Sequence, residues 1–139
     1  MSFFDTDFVI DLLREQRRGI VGPAQRKLEQ LGDTPVRLSV FVVCELEAGA
    51  ALSRDPEEYQ RVRRLCQQFE VVYPDERFAL LYGETLAALK QQAFTVATMD
   101  LLIGTQALVL GESLVTRNVR HFQKIPKLQV ETYEASARR

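Results

Sequence analysis

Along this chain the spacing of apolar residues alternates between two periods. Ser2-Phe3-Phe4 reads as a short buried strand, and Phe8, Val9, Leu12 and Leu13 then repeat with the spacing of a helix face. Pro23 after Gly22 suits a first helical turn, and Gly32 suits the end of a helix carrying Leu28 and Leu31. Val36, Leu38 and Val40 alternate as a strand, after which VVCELEAGAAL changes to helical composition. Pro56 starts a helix through EEYQRVRRLCQQF, residues 69–73 read as a strand, and Asp75 is placed to cap the long segment 76–92. A second apolar helix, Met99 to Leu110, stops at Gly111, and residues 113–116 and 128–132 close the series as strands.

Strands alternating with helices through short loops predict an α/β domain with a central parallel sheet and helices on both faces. One domain over residues 1–134 accounts for the pattern, with the small, polar segment 135–139 expected to fray. Composition narrows the picture without changing it. Hydrophobic residues make up 46% and charged residues 27% of the chain, and mean hydropathy is −0.13, the balance of a soluble globular domain. No apolar run reaches the length of a membrane span and no signal-type core follows the N-terminus, so the expected location is cytoplasmic, with no membrane contact. Cys44 and Cys66 lack CxxC spacing and are expected to be buried small hydrophobes; with one histidine they cannot form a zinc site. Eighteen basic and nineteen acidic residues leave a net charge of −1, so any nucleic-acid binding has to be local.

The acids carry the chemistry. Asp5 follows the first strand, Glu45 lies just beyond the second within an apolar segment, and Asp100 opens the helix DLLIGTQALVLG. Asn118 follows SLVT. In open α/β sheets ligands bind beyond the carboxyl ends of strands, so three acids and one amide are expected to share a crevice. Gathered carboxylates repel one another, and a hard divalent cation such as Mg²⁺ or Mn²⁺ relieves that cost. Such an ion activates water and stabilises charge on a phosphodiester. Asp7 and Asp100 also suit the acidic first turn of a helix, a purely structural role.

Three stretches resemble the VapC-type toxins, a group of PIN-domain nucleases: FFDTDFVIDLL, SVFVVCELEAG, and above all VATMDLLIGTQALVLGESLVTRNVRHFQKIPKLQVETY. The resemblance spans nearly the whole chain. It implies a single PIN-like domain that cuts structured RNA such as tRNA or rRNA with Mg²⁺ or Mn²⁺ and so inhibits translation. Asp5, Glu45 and Asp100 take the metal-binding positions, and Asn118 takes that of a fourth acid. Thr6 matches a hydroxyl that orients the Asp5 carboxylate, and Thr116 matches the hydroxyl ending the last active-site strand. The chain departs from the family at Asp7, usually Asn, at Ala93 and Ala97, where glycine is common, and at Asn118, whose neutrality predicts one tight ion and a weaker second.

Arg117, Arg120, Lys124 and Lys127 cluster around the last site loop and are expected to hold flanking phosphates. His121 is expected at the solvent edge or as a cap rather than as a general base. The resemblance further implies a VapB-type antitoxin whose tail lies in an apolar groove, walled here by Phe8, Leu12, Leu13, Val42, Leu46 and Leu52. A homodimer through LLYGETLAAL, with Leu80, Leu81, Leu86 and Leu89, completes the expectation, giving a hetero-oligomer with the antitoxin. Two rivals remain open. Asp5-Thr6-Asp7 is a D-x-D after a strand, as in phosphatases of the haloacid dehalogenase type, but no paired acidic motif follows SLVT. The neutral Asn118 also fits a PIN-like module that binds RNA or protein without cutting.

Overall fold

A computed structural model describes residues 2–133; the segment expected to fray, 135–139, lies outside them. Five parallel strands form one sheet: β1 (Ser2–Phe4), β2 (Val36–Ser39), β3 (Glu70–Val72), β4 (Ser113–Val115) and β5 (Val130–Glu131). Their spatial order is β3-β2-β1-β4-β5. Consecutive residues Phe3 and Phe4 are both fully buried, as are Leu114 and Val115. Neighbours on a strand point to opposite faces, so both faces of the sheet are covered, as parallel sheets require.

Seven helices among the described residues supply that cover: α1 (Thr6–Arg18), α2 (Pro23–Leu31), α3 (Val40–Ser53), α4 (Pro56–Cys66), α5 (Phe78–Gln91), α6 (Thr98–Val109) and α7 (Val119–Phe122). None is long and apolar enough to cross a membrane. Phe8, Val9, Leu12 and Leu13 form the buried stripe of α1, as their spacing predicted. Phe8 stacks on Phe4 at 3.8 Å between ring centroids, which locks the helix onto the strand that precedes it.

The strand order reverses at β1. Chain winding runs outward through β2 and β3, then returns to β4 on the other side. With right-handed crossovers, the gap beyond the carboxyl ends of β1 and β4 is the switch point where neither connection covers the sheet. Asp5 follows β1 there, and Thr116 follows β4.

Several expectations change in detail. Val40 opens α3 rather than closing β2, because Ser39 caps the helix by accepting from the Phe41 N–H. Asp75 does not cap α5; its carboxylate accepts from the Arg77 N–H and pairs with the Arg77 guanidinium at 2.7 Å, leaving Arg77 as the capping residue. The short helix α7 was not anticipated, since four residues carry no readable periodicity. Cys44 is exposed and Cys66 only half-buried, so the burial expected of them fails. The chain turns both away from the apolar stripes of α3 and α4, which Val42, Leu46 and Ala50, and Val62 and Leu65, occupy. Burial raises the Cys66 thiol above its usual range.

Candidate active site

Asp5 is held at the carboxyl edge of the sheet by three bonds. Its N–H donates to the Val115 carbonyl at 3.2 Å, joining it to β4. Its Oδ1 accepts from the Phe8 N–H at 2.9 Å, the N-cap bond that starts α1. Its Oδ2 accepts from the Thr116 hydroxyl at 2.5 Å, across the switch point. Among the described residues the buried carboxyl group has these two donors alone. Loss of water pushes its pKa up to about 7; the Thr116 and Phe8 bonds oppose that rise, and Asp7 and Asp100 add to it.

The other acids enter from separate helices. Glu45, half-buried on α3, accepts from the Thr6 hydroxyl. Thr6 therefore positions Glu45, and the Asp5 carboxylate that it was expected to orient is served by Thr116 instead. The helical turn explains the exchange: the residue after the N-cap points away from the cap's own carboxylate, toward α3. Asp100, in the first turn of α6, is raised above its usual range by burial, while the imidazole of His121, with Nε2 3.0 Å from Oδ2, opposes the rise. His121, about a third exposed, lies at the solvent edge as expected and in addition meets Asp100. The unanticipated helix α7 sets it against α6.

Asn118 is exposed; its Nδ2 donates to Asp7 Oδ2 at 3.2 Å, and its N–H donates to Thr116 Oγ1 at 2.9 Å. Asp5, Thr6, Asp7, Ile10, Glu45, Asp100, Asn118 and Phe122 line one cleft of about 350 Å³. All four expected site residues and Thr6 meet there, and Thr116 backs Asp5 from the fully buried strand end. Asp7 was read as a departure from the family, a helix-end acid or part of a D-x-D motif, and not as a member of this cluster, yet it shares the cleft and accepts from the Asn118 amide. Its place beside Asp5 was the available signal.

The donor set suits a hard divalent cation: carboxylate oxygens from three helices and one strand end, with no thiol. Among the described residues, no three such side chains are gathered tightly enough to form one chelate. Each carboxylate has a side-chain partner of its own, Asp5 in Thr116, Glu45 in Thr6, Asp100 in His121 and Asp7 in Asn118.

The four expected phosphate contacts divide. Arg117 pairs with Asp11 of α1 at 2.8 Å, and Tyr133 donates to the same Asp11 oxygen, so this guanidinium is already neutralised. Arg120 and Lys124 line a second cleft beside the first. Lys127 is exposed on a turn with φ 68° and lines neither cleft.

A family profile described as PIN domain matches residues 2–128. Ribonuclease VapC1 of Haemophilus influenzae (strain R2866) is 33% identical over 126 residues, covering 90% of this chain and 92% of its own. The tRNA(fMet)-specific endonuclease VapC of Salmonella typhimurium (strain LT2) is 28% identical, covering 78% of this chain and 83% of its own. Among solved structures, VapBC-1 from nontypeable Haemophilus influenzae has a TM-score of 0.81 at 30% identity, over 95% of this chain and 97% of that one. DNA-bound VapBC from Salmonella typhimurium has a TM-score of 0.85 at 26% identity, over the same shares. The solved structures share the fold of this chain, a small doubly wound sheet, and the chain belongs to the PIN-domain family. Within that family, its relatives at 30% identity and above include VapC ribonucleases.

Proposed function

We propose that this protein is a divalent-metal-dependent endoribonuclease, the toxin of a VapBC-type toxin–antitoxin pair, acting on structured RNA such as tRNA or rRNA. The observation that carries the reading is the meeting of Asp5, Glu45, Asp100 and Asp7 on one cleft, with Asp5 buried and short of positive charge. The family match removes the phosphatase alternative. The Salmonella relative named for tRNA(fMet) supports a structured RNA as substrate.

Asp5, Glu45 and Asp100 would hold Mg²⁺ or Mn²⁺, with Asn118 completing the rim. When bound, the ion supplies a Lewis acid that lowers the pKa of water and stabilises charge on the phosphodiester. The chain's own residues do the positioning. Thr116 and the Phe8 N–H fix both oxygens of Asp5, so its rotamer is set by the fold. Thr6 holds Glu45 and His121 holds Asp100, each on the cleft wall. Four acids on one cleft repel an RNA backbone, and a bound cation would offset that repulsion where the scissile phosphate sits.

A VapB-type antitoxin is the partner, supported by the VapBC complexes among the structural neighbours. A groove of about 250 Å³ between α1, α3 and α4 runs from Glu45 past Leu13, Leu46, Ala50 and Val62 to Arg14 and Arg17. Of the walls expected from the sequence, Leu13 and Leu46 line it, Phe8, Leu12 and Val42 are interior core, and Leu52 is exposed elsewhere. A homodimer would use α5, where Leu80 is 69% exposed, while Leu89 faces the core.

Cleavage of a tRNA pool tests the reading. EDTA should abolish cleavage and added Mg²⁺ or Mn²⁺ restore it, and Asp5→Asn should lose roughly 10³-fold while keeping its circular dichroism. Cleavage indifferent to both would overturn the proposal. The separate partner that each acid has also suits a module that binds RNA without cutting; wild-type protein that binds RNA but never cleaves it with either ion would favour that reading.

A further inference from the structure

Beside the acidic cleft lies a wider one of about 470 Å³, lined by Gln92, Phe94, Arg120, Gln123, Lys124 and Pro126. The two share a wall. Phe122 of α7 faces the acidic cleft, while Arg120 and, just past the helix, Gln123 and Lys124 face this one. Its opposite wall is the loop from α5 to α6, and α6 carries Asp100 six residues after Phe94.

Phe94 is 42% exposed, although its backbone is anchored: its N–H donates to the Leu89 carbonyl at 2.9 Å, and the preceding Ala93 holds a left-handed φ of 59°. A single exposed aromatic ring is ordinary. Here it stands with two cations, two amides and no carboxylate, and among the described residues neither Arg120 nor Lys124 has an ion-pair partner. Of the other arginine-lined clefts, that of Arg14, Arg18 and Arg117 contains Asp11 and Glu15, that of Arg14 and Arg17 contains Glu45 and Glu58, and in that of Arg17, Arg61 and Arg64 the first two are paired with Glu58. An aromatic face beside unpaired cations is the composition of a platform for single-stranded nucleic acid, where the ring stacks a base and the cations hold its phosphate.

We propose that this second cleft is the subsite for a nucleotide flanking the cleaved bond, with its base stacked on Phe94 and its phosphate held by Arg120 and Lys124. Gln92 and Gln123 are the side chains placed to read the base edge. The inference rests on the ribonuclease reading and adds an address to it: the RNA strand leaves the acids along α7, toward the loop between α5 and α6. Recognition is then of an unpaired base, because a base within a duplex has no free face.

The chain contains no tryptophan, so Phe94→Trp introduces a single fluorescent reporter. In chelator, a short single-stranded RNA oligonucleotide should quench its emission in a saturable way. Phe94→Ala should weaken binding of the same oligonucleotide, read by anisotropy, about tenfold, with Phe94→Tyr restoring it. Arg120→Ala and Lys124→Ala should each weaken binding and reduce the salt dependence by about one ion. Binding by anisotropy with unchanged emission from the Phe94→Trp protein, and with Phe94→Ala like wild type, would overturn the subsite while leaving the nuclease intact. Wild-type protein that neither binds nor cleaves RNA would sink the inference together with the function it rests on.

Discussion

Helix α1 has a buried carboxylate at each end, and the two are treated differently. Glu15, 7% exposed, accepts from the N–H groups of Gly22, Ala24 and Gln25 at 2.8–3.1 Å, and so caps the next helix, which has no side-chain cap of its own. The fit is close: a Cβ on Gly22 would come within 2.4 Å of its carboxylate. Asp5, 3% exposed, has one backbone N–H and one hydroxyl, with two further acids nearby. A buried charge given three oriented donors is a structural part. One with fewer donors and like charges nearby is what the proposed cation site needs. The difference between the two ends of one helix separates scaffold from chemistry without reference to any relative.

The largest effect that comparison predicts is a pH dependence. Folded Asp5 keeps its proton up to about pH 7, whereas the unfolded chain releases it near 3.8. Between those values the folded state binds more protons, so stability in chelator should fall as pH rises from 4 to 7 and level off above. Linkage puts the loss at about 4 kcal/mol. Asp5→Asn, neutral throughout, should flatten that part of the urea-denaturation profile. A wild-type profile no steeper than that of Asp5→Asn would remove the contrast with Glu15.

At the other end of α1, Glu15→Ala strands three N–H groups at the start of α2 and should cost about 3 kcal/mol in urea unfolding. Its catalytic rate, measured well below the melting temperature, should stay near wild type. A cost under about 0.5 kcal/mol, the size of an ordinary surface substitution, would show that water serves the cap as well as the carboxylate does. Smaller still is Thr116→Val, which removes the hydroxyl from Asp5 at nearly constant volume. It should destabilise by about 1 kcal/mol and move the Asp5 titration upward, since that bond favours the ionised form. A downward movement would mean that another donor takes over.

Much of this was legible in the chain. The apolar stripe of α1, Pro23 and Gly32 at the ends of α2, and the alternation in β2 follow from local periodicity and turn chemistry, which do not depend on the rest of the molecule. Asp5, Glu45, Asp100 and Asn118 could be placed together because each lies past a strand end or near a helix start, Glu45 in the second turn of the helix that follows β2, on the side of the sheet where ligands collect. Arg117 shows where such reasoning stops. It has the same sequence context as Arg120, but Asp11, 106 residues away, neutralises it. Glu15 sits in LLREQRR as an unremarkable polar residue, and its three donors come from a loop whose path the period of α1 cannot foretell. The contact of His121 with Asp100 was not foreseen because residues 119–122 form a helical turn too short to leave a pattern.

By itself, then, the sequence determined the order of elements, the doubly wound parallel sheet and the edge at which the acids gather, because those depend on periods of two and 3.6 residues and on which strand ends carry charge. Only the tertiary structure decided which donor meets which acid. Thr6 holds Glu45 across 39 residues, Thr116 holds Asp5 across 111, and His121 stands against Asp100. Those pairings require two side chains to arrive within about 3 Å of one another. Burial then turns each pairing into chemistry, since a carboxylate's charge becomes costly or cheap only once water has been removed and its remaining donors are counted.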